Sequence, residues 1–454
     1  MTNISPTIFK GYDIRAIYPD ELNEENIVPI IHAIYKFLKT SDIVVGTDMR
    51  ISSTILTKVA IETLVGLGAR VVDIGIVSTP TFYFAVHYYK HAAGIQITAS
   101  HNPKEYNGIK IVKNSPNGLI KIGKPTGLEE IKTITLQGET LEPQPGGTVI
   151  KKEGILLDEV ENALKIAGNP QIKKFRIVAD AANAMGSQYI EALFSKVPVD
   201  LIKMNFELDG TFPVHQPDPL QKETLVDLQK RVIAEGADLG LAPDGDGDRL
   251  FFIDEKGEIV PPTAITAIVA HDLLKTHPGE SFLVDIRYIL TPKKIIEENG
   301  GKIGITKVGH AYITEDMSKT NAIFAGESSG HYYFKETGNA ESQMPVILTI
   351  LKVLAESGKS FSQIVADYRR SFESGEVNFK VENASEILEM VKNKYQDGQL
   401  DELDGVAINY PGWRLSLRTS NTEPLMRLNV EAYNKEVLDQ HFPEIVELIK
   451  QNGK

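Results

Sequence analysis

Three times along the chain a β-branched or apolar run stops at an aspartate: Ile43-Val44-Val45-Gly46-Thr47-Asp48, Ile177-Val178-Ala179-Asp180 and Phe282-Leu283-Val284-Asp285. Short continuous apolar runs closed by turn residues read as strands buried on both faces, as in parallel sheets. A segment of helical period follows each, clearest over 56–67, where Val59, Ala60, Thr63, Leu64 and Leu67 share one face. A second strand comes next, at 69–74, 197–202 and 302–306. Strand–helix–strand units of this length imply right-handed crossovers. This repetition restricts the fold to consecutive α/β domains.

Each unit then closes with a third strand that runs into a polar, glycine-containing loop. Residues 93–97 lead into Thr98-Ala99-Ser100-His101-Asn102-Pro103, residues 237–242 into Asp244-Gly245-Asp246-Gly247-Asp248-Arg249, and residues 321–325 into Gly326-Glu327-Ser328-Ser329-Gly330-His331. Strand-like runs follow at 108–112, 250–254 and 331–334. Ligands of open α/β sheets bind beyond the strand C-termini, so the three loops are expected to face one central cleft. Leu141-Glu142-Pro143-Gln144-Pro145-Gly146-Gly147 reads as a linker, and Lys256-Gly257 as a softer boundary. Beyond about residue 370 the pattern changes to a helix at 384–395, strands at 405–409, 413–417 and 425–431, and a last helix at 437–451. The expected architecture is α/β throughout: domains of related topology at 1–147, 148–256 and 257–370, then a smaller α+β domain at 371–454.

With 61 acidic against 48 basic residues, the net charge of −13 argues against a nucleic-acid partner, because tracking phosphates needs a basic surface. A few local Arg and Lys residues can still hold a small phosphorylated ligand. The absence of cysteine excludes disulfides, thiolate metal sites and cysteine nucleophiles. Residues 1–15 carry no apolar leader core, and no stretch reaches ~18 uninterrupted apolar residues. A cytoplasmic protein with no membrane partner is expected.

Asp244, Asp246 and Asp248 alternate, so an extended segment would point all three carboxylates one way. Like charges ~4 Å apart near a protein surface repel by roughly 4 kcal/mol, which calls for a cation. All-oxygen ligands favour Mg²⁺ or Ca²⁺ over zinc. An EF-hand is excluded because Arg249 stands where its loop needs glycine, and 250–253 reads as a strand. Ser100 sits on a loop kept extended by Asn102-Pro103, with His101 adjacent and Lys104 and Lys110 near in sequence. A phosphorylated serine carries roughly −1.5 to −2 charge, and a divalent ion with basic residues suits it. Glu327, Ser329 and His331 alternate as acceptors and donors fitted to a polyhydroxylated ligand such as a sugar. The same loop formally matches a hydrolase elbow with Ser328 as nucleophile, served by Asp401 or Asp404 and His441; an elbow, however, feeds a helix, whereas 331–334 reads as a strand. Arg418, Thr419, Ser420, Asn421 and Thr422 concentrate donors suited to a non-transferred phosphate, on a C-terminal unit that could close as a lid.

In this order the four loops resemble the α-D-phosphohexomutase family over the whole chain, and most of all its bacterial phosphomannomutase/phosphoglucomutase branch. Asn421 fits that branch better than the phosphoglucosamine mutases, which resemble Arg-Pro-Ser-Gly-Thr. The resemblance implies interconversion of hexose 6-phosphate and hexose 1-phosphate, of mannose and/or glucose. The route would run through phospho-Ser100 and a hexose 1,6-bisphosphate that serves as intermediate and activator. It makes Ser100, Asp244, Asp246 and Asp248 the Mg²⁺ ligands, with Arg249 beside them. Glu327, Ser329 and His331 would contact sugar hydroxyls, and Arg418, Ser420, Asn421 and Thr422 the phosphate. Tyr12-Asp13-Ile14-Arg15 carries Tyr12 and Arg15 into the cleft, Asn107-Gly108-Ile109-Lys110 supplies Lys110, and Gly309-His310 supplies His310. Lys110, with His101 and Arg15, is expected to shuttle protons and stabilise charge. Arg287 stands where this branch usually carries lysine, and Glu341-Ser342 replaces its usual Asp-Gly pair. Monomer and dimer remain equally open, as does the preferred hexose.

Overall fold

The computed structural model describes residues 4–419 and 425–453 and groups the chain into two compact units. One is Met1–Val260 with Ser329–Ile364; the other is Pro261–Ser328 with Val365–Lys454.

The first unit holds two sheets of the expected kind. In the first, the strand order is Ile14–Ile17, Tyr106–Ser115, Ala93–Ile97, Asp42–Thr47, Arg70–Ile76, Thr148–Lys151, with Gly118–Lys121 paired to Tyr106–Ser115. Strand Asp42–Thr47 runs parallel to both neighbours. Its Ile43 and Val45 pack on Ile27, Ile30, Ile31 and Ile34 of helix Ile27–Leu38 and on Leu56, Ala60 and Leu64 of helix Ile51–Gly66. Val44 points the other way, onto Phe82, Tyr83 and Val86 of helix Thr79–Tyr88. Both faces being buried, the strand shows no polar alternation, and each such side chain contributes roughly 1.5–3 kcal/mol of burial. Ser78 caps helix Thr79–Tyr88 by accepting from the Thr81 N–H at 3.2 Å. Two expectations shift: the first helix begins five residues earlier than 56, and the linker at 141–147 does not end the sheet. Thr148–Lys151 still adds in parallel to Arg70–Ile76, with all four residues exposed.

The second sheet orders Ile259–Val260, Leu250–Asp254, Leu239–Pro243, Phe175–Asp180, Val199–Met204, parallel across its last three strands. The antiparallel pair Tyr332–Phe334 and Ala340–Glu341 and helix Met344–Ser357 also belong to this unit.

In the second unit, Ser281–Asp285 lies parallel between Lys302–Thr306 and Phe324–Gly326. An antiparallel sheet follows, ordered Phe372–Glu373, Met426–Ala432, Trp413–Thr419, Val406–Asn409, Gln399–Asp401, with Val377–Phe379 also on Met426–Ala432. Helices Ala384–Lys394 and Lys435–Asn452 pack their apolar faces on it. The last helix starts at Lys435 because Asn434 accepts from the Glu436 N–H at 2.8 Å. Among the described residues, no helix is long and apolar enough to cross a membrane.

In each α/β sheet the aspartate-ended strand lies between the second and third strands of its repeat. The chemically rich loops therefore leave from equivalent strand ends.

Candidate active site

The first unit brings the serine loop and the aspartate loop together. Ser100 is buried, its φ of 50° placing it in the left-handed region. Its Oγ donates to Asp244 Oδ2 at 3.0 Å and lies 3.1 Å from His101 Nδ1. Asp244, Asp246 and Asp248 are buried, and one oxygen of each lies within 4.8 Å of the others. The convergence is as expected but its cause differs. The segment is a turn rather than an extended run: Gly247, at φ 79°, donates its N–H to Asp244 O at 3.1 Å. Arg249 N–H then donates to Asp244 Oδ1 at 3.1 Å.

Three buried carboxylates need a compensating cation, and Lys110 is on the spot. Its Nζ lies 2.6 Å from Asp246 Oδ2 and 2.5 Å from Asp248 Oδ2. Burial opposes the Lys110 charge, but Asp246 and Asp248 outweigh it and hold the amine well above its ordinary value. The side chain thus stands as a charged amine held between two carboxylates. Even so the cluster is under-neutralised. Burial, then Asp248 and Asp246, push Asp244 up to about 8, and Asp246 Oδ1 is buried without a hydrogen-bond partner. A divalent cation fits this donor set: all-oxygen, convergent and short of positive charge.

His101 is driven well below the ordinary histidine value by burial, then by Arg249 and Arg15, and so is neutral. Arg15 is tied to the serine loop through Asn102 Oδ1 at 2.6 Å and the Ala99 carbonyl, and to Asp13 Oδ2 at 2.7 Å. Tyr12 is half-buried just before strand Ile14–Ile17. His331 Nε2 lies 3.2 Å from Asp248 Oδ1 and 3.3 Å from Arg249 Nε, and Ser329 Oγ lies 2.9 Å from His331 Nδ1. These two residues, expected as sugar contacts, thus also buttress the aspartate loop.

Several participants carry no motif. Thr79, the first residue of its helix, donates its hydroxyl to Asp246 Oδ2 at 2.7 Å and its N–H to Asp246 O at 2.8 Å. Gln216 Nε2 donates to His101 O at 2.9 Å, Gly245 N–H donates to Pro217 O at 3.0 Å, and Asp218 sits 3.6 Å from Arg249. One segment, 215–218, therefore touches both loops. Its sequence mark is the Pro217-Asp218-Pro219 run in the loop after strand Val199–Met204.

The second unit carries the other expected residues. Arg287 is buried, its Nε 2.9 Å from Asp285 Oδ1 and its Nη2 3.0 Å from Glu327 Oε1. His310 opens helix His310–Thr320. Arg418 on strand Trp413–Thr419 pairs in register with Arg427 on the neighbouring strand. The two share Glu376, at 3.3 and 2.8 Å. Burial, then Arg287, lower the Arg418 value, with Glu376 pulling against them. Two guanidinium groups sharing one carboxylate leave donors for an anion. Arg427 and Glu376 were not foreseen; pairing the two strands in register would have found Arg427. Ser420, Asn421 and Thr422 lie outside the described residues. The hydrolase alternative fails. Ser328 leads to strand Tyr332–Phe334 and not to a helix, and its N–H donates to Asp285 Oδ2 at 2.5 Å. His441 stacks on Trp413 at 4.1 Å, Asp404 accepts from the Val308 N–H at 3.1 Å, and Asp401 from the Leu403 N–H at 2.9 Å.

Comparison with known proteins finds the phosphoglucomutase/phosphomannomutase profiles in order: alpha/beta/alpha domain I over 6–141, domain II over 156–257, domain III over 261–371 and the C-terminal domain over 376–448. The chain belongs to the phosphoglucomutase/phosphomannomutase family. It is 35% identical to a phosphomannomutase of Vibrio cholerae, covering 98% of each chain. It is 37% identical to a phosphomannomutase of Methanocaldococcus jannaschii, covering 97% of each. Among solved structures, a Burkholderia thailandensis phosphoglucomutase/phosphomannomutase family protein superposes with TM-score 0.88 at 25% identity over 99% of both chains. An Aspergillus fumigatus N-acetylphosphoglucosamine mutase solved with glucose 1,6-bisphosphate shares the fold, with TM-score 0.62 at 13% identity over 100% of this chain and 96% of that one. Members of the family catalyse phosphoryl transfer within hexose phosphates, and the protein is an enzyme of this class. The mutase reading therefore stands over the hydrolase and phosphoglucosamine mutase alternatives.

Proposed function

We propose that the enzyme interconverts hexose 6-phosphate and hexose 1-phosphate, of mannose and/or glucose, through a phosphoserine at Ser100 and a hexose 1,6-bisphosphate. The observation that carries the proposal is the buried Ser100 Oγ, 3.0 Å from Asp244 and beside a neutral His101. The phosphate cannot pass directly between O6 and O1 across the ring, so the enzyme lends one phosphoryl group and recovers the other. In the first half, the phosphorus–Oγ bond of Ser100 breaks as a bond to the free sugar hydroxyl forms. The hydroxyl loses a proton and Ser100 Oγ gains one. His101 Nδ1, 3.1 Å from Oγ, handles the proton at the serine end: it takes it from Ser100 when the enzyme is rephosphorylated and returns it when the phosphoryl group leaves.

Asp244, Asp246 and Asp248 with Ser100 would hold Mg²⁺, whose charge neutralises the phosphoryl group in flight. Lys110, Arg15 and Arg249 add fixed positive charge beside it. Glu327, Ser329, His331, Tyr12, His310 and Arg287 are assigned to the sugar, and Arg418 with Ser420, Asn421 and Thr422 to the phosphate that stays. The division at 1–147, 148–256, 257–370 and 371–454 gives each domain one such loop. The lack of cysteine supports a cytoplasmic site of action.

Ser100→Ala is expected to lower mutase turnover by at least 10³-fold, in line with loss of a covalent intermediate, without changing the melting temperature by more than a few degrees. A coupled assay reads it, with mannose 1-phosphate, glucose 1-phosphate and glucosamine 1-phosphate compared in parallel. Near-normal turnover in the variant refutes the role of Ser100, and a preference for glucosamine 1-phosphate refutes the substrate assignment.

A further inference from the structure

The aspartates that close the first strand of each repeat take no part in the chemistry above, yet all are buried and each is bonded in the same way. Asp48 Oδ1 accepts from the Arg50 N–H at 2.9 Å, and Oδ2 lies 3.3 Å from Arg50 Nε. Asp180 Oδ1 accepts from the Ala182 N–H at 3.0 Å, and Oδ2 lies 3.0 Å from His215 Nε2. Asp285 Oδ1 accepts from the Arg287 N–H at 2.8 Å and from Arg287 Nε at 2.9 Å. Every carboxylate thus takes the backbone N–H two residues on and grips a basic side chain.

The basic partner, in turn, reaches the working loop of the same domain, directly from Arg50 and Arg287 and by way of the 215–218 segment from His215. Arg50, only 1% exposed, donates to four carbonyls of the serine loop: Ser100 at 2.8 Å, Asn102 at 2.6 Å, Pro103 at 2.7 Å and Tyr106 at 3.0 Å. A guanidinium fork is the one side chain that can bridge so many acceptors, and it spans the left-handed turn at Ser100. His215 Nδ1 lies 2.9 Å from Gln216 O, anchoring the 215–218 segment that touches His101 through Gln216 and Gly245 through Pro217. With an acceptor at each ring nitrogen, His215 satisfies both only as the imidazolium. Arg287 holds Glu327 at 3.0 Å, while Asp285 itself accepts from the Ser328 N–H.

We propose that Asp48–Arg50, Asp180–His215 and Asp285–Arg287 are one positioning device used three times, each pair fastening the functional loop of its own domain. Asp48, Arg50, Asp180, His215 and Asp285 are positioning residues, Arg287 combines this part with its assignment to the sugar, and the functional label on each loop rests on the phosphoserine reading above. The device explains why the repeat keeps an acid at its strand end while the loops themselves differ completely.

The test is amide hydrogen exchange on the full-length protein, with steady-state kinetics, for Arg50→Lys, Asp48→Asn and Asp180→Asn. Arg50→Lys keeps the charge and loses the fork, so it guards against outright unfolding of the other variants. Arg50→Lys and Asp48→Asn should speed exchange at residues 100–106 at least tenfold, leaving 244–249 and 326–328 within twofold. Asp180→Asn should do the same at 215–218 and 244–249 alone. Turnover should fall at least 30-fold in each with KM within threefold. Unchanged exchange in the matched loop, or acceleration spread evenly over the domain, overturns the proposal. The exchange pattern does not need the enzyme to be a phosphoserine mutase. A Ser100 that never carries phosphate would end that reading and leave this one to be judged by its own data.

Discussion

Gly245 stands between two of the aspartates, and an added Cβ there would lie 2.3 Å from the Ser100 carbonyl oxygen, 3.0 Å from its carbon and 3.1 Å from Pro217 Cγ. Its φ is not among the positive ones, so alanine meets no backbone penalty and the effect of Gly245→Ala is steric alone. Non-bonded heavy atoms are comfortable only near ~3.5 Å, so the methyl needs about 1 Å more room than it has. The obstacle is backbone on the serine loop, which Arg50 pins through four carbonyls. The aspartate loop and Ser100 must therefore separate by about that distance. A 1 Å misplacement of reacting groups costs on the order of 10²-fold in rate, or ~2.7 kcal/mol of barrier. Overpacking should also cost ~1–3 kcal/mol of stability. The assay is turnover of hexose 1-phosphate beside a thermal melt, with Gly66→Ala as control. That glycine ends helix Ile51–Gly66, and an added methyl there would meet nothing within 4 Å, so turnover should hold and stability rise by up to ~1 kcal/mol. A folded Gly245→Ala protein turning over within threefold of the parent would refute the claim that the close approach of these loops sets the rate.

Lys110→Met removes the lysine that touches Asp246 and Asp248. Added Mg²⁺ should therefore raise the variant's melting temperature by more than it raises the parent's, and turnover should drop at least 10²-fold. An equal Mg²⁺ response in both proteins contradicts the charge argument. Glu373 is half-buried, hydrogen-bonded by Thr263, and pushed up to about 8, chiefly by the loss of water around its carboxylate. The folded state thus keeps a proton that the unfolded chain releases near ~4.3. The stability this contributes is complete at low pH and lost as pH climbs through about 8. Glu373→Gln should flatten the fall in melting temperature between pH 6 and 9, and identical pH curves for the two proteins would count against it.

What could be read before the fold was known follows from burial. Strands such as Asp42–Thr47 announce themselves because both faces are covered and every residue but the first is buried. Thr148–Lys151 has no covered face, so its three β-branched residues come without apolar alternation or a continuous buried run, and the linker before it looks like an end. The three aspartates were found by their spacing, while the turn that makes them converge depends on the positive φ of Gly247, which spacing does not report. Arg50 reaches the serine loop only through tertiary contacts. The Asp-x-Arg spacing of Asp48-Met49-Arg50 does recur at Asp285-Ile286-Arg287, and that echo could have flagged it; the middle repeat hides the pattern by drawing its basic partner from His215. Arg427 escaped for a related reason: its partnership with Arg418 exists only once two strands are placed in register.

The most direct trial of the whole account is to locate phosphate on the protein itself. Intact mass before and after phosphatase, followed by peptide mapping, should give one removable phosphate, on Ser100, which passes to the sugar when the enzyme is mixed with hexose 6-phosphate. A protein that turns over substrate while Ser100 stays unmodified throughout, or that carries its transferable phosphate on another residue, would contradict it.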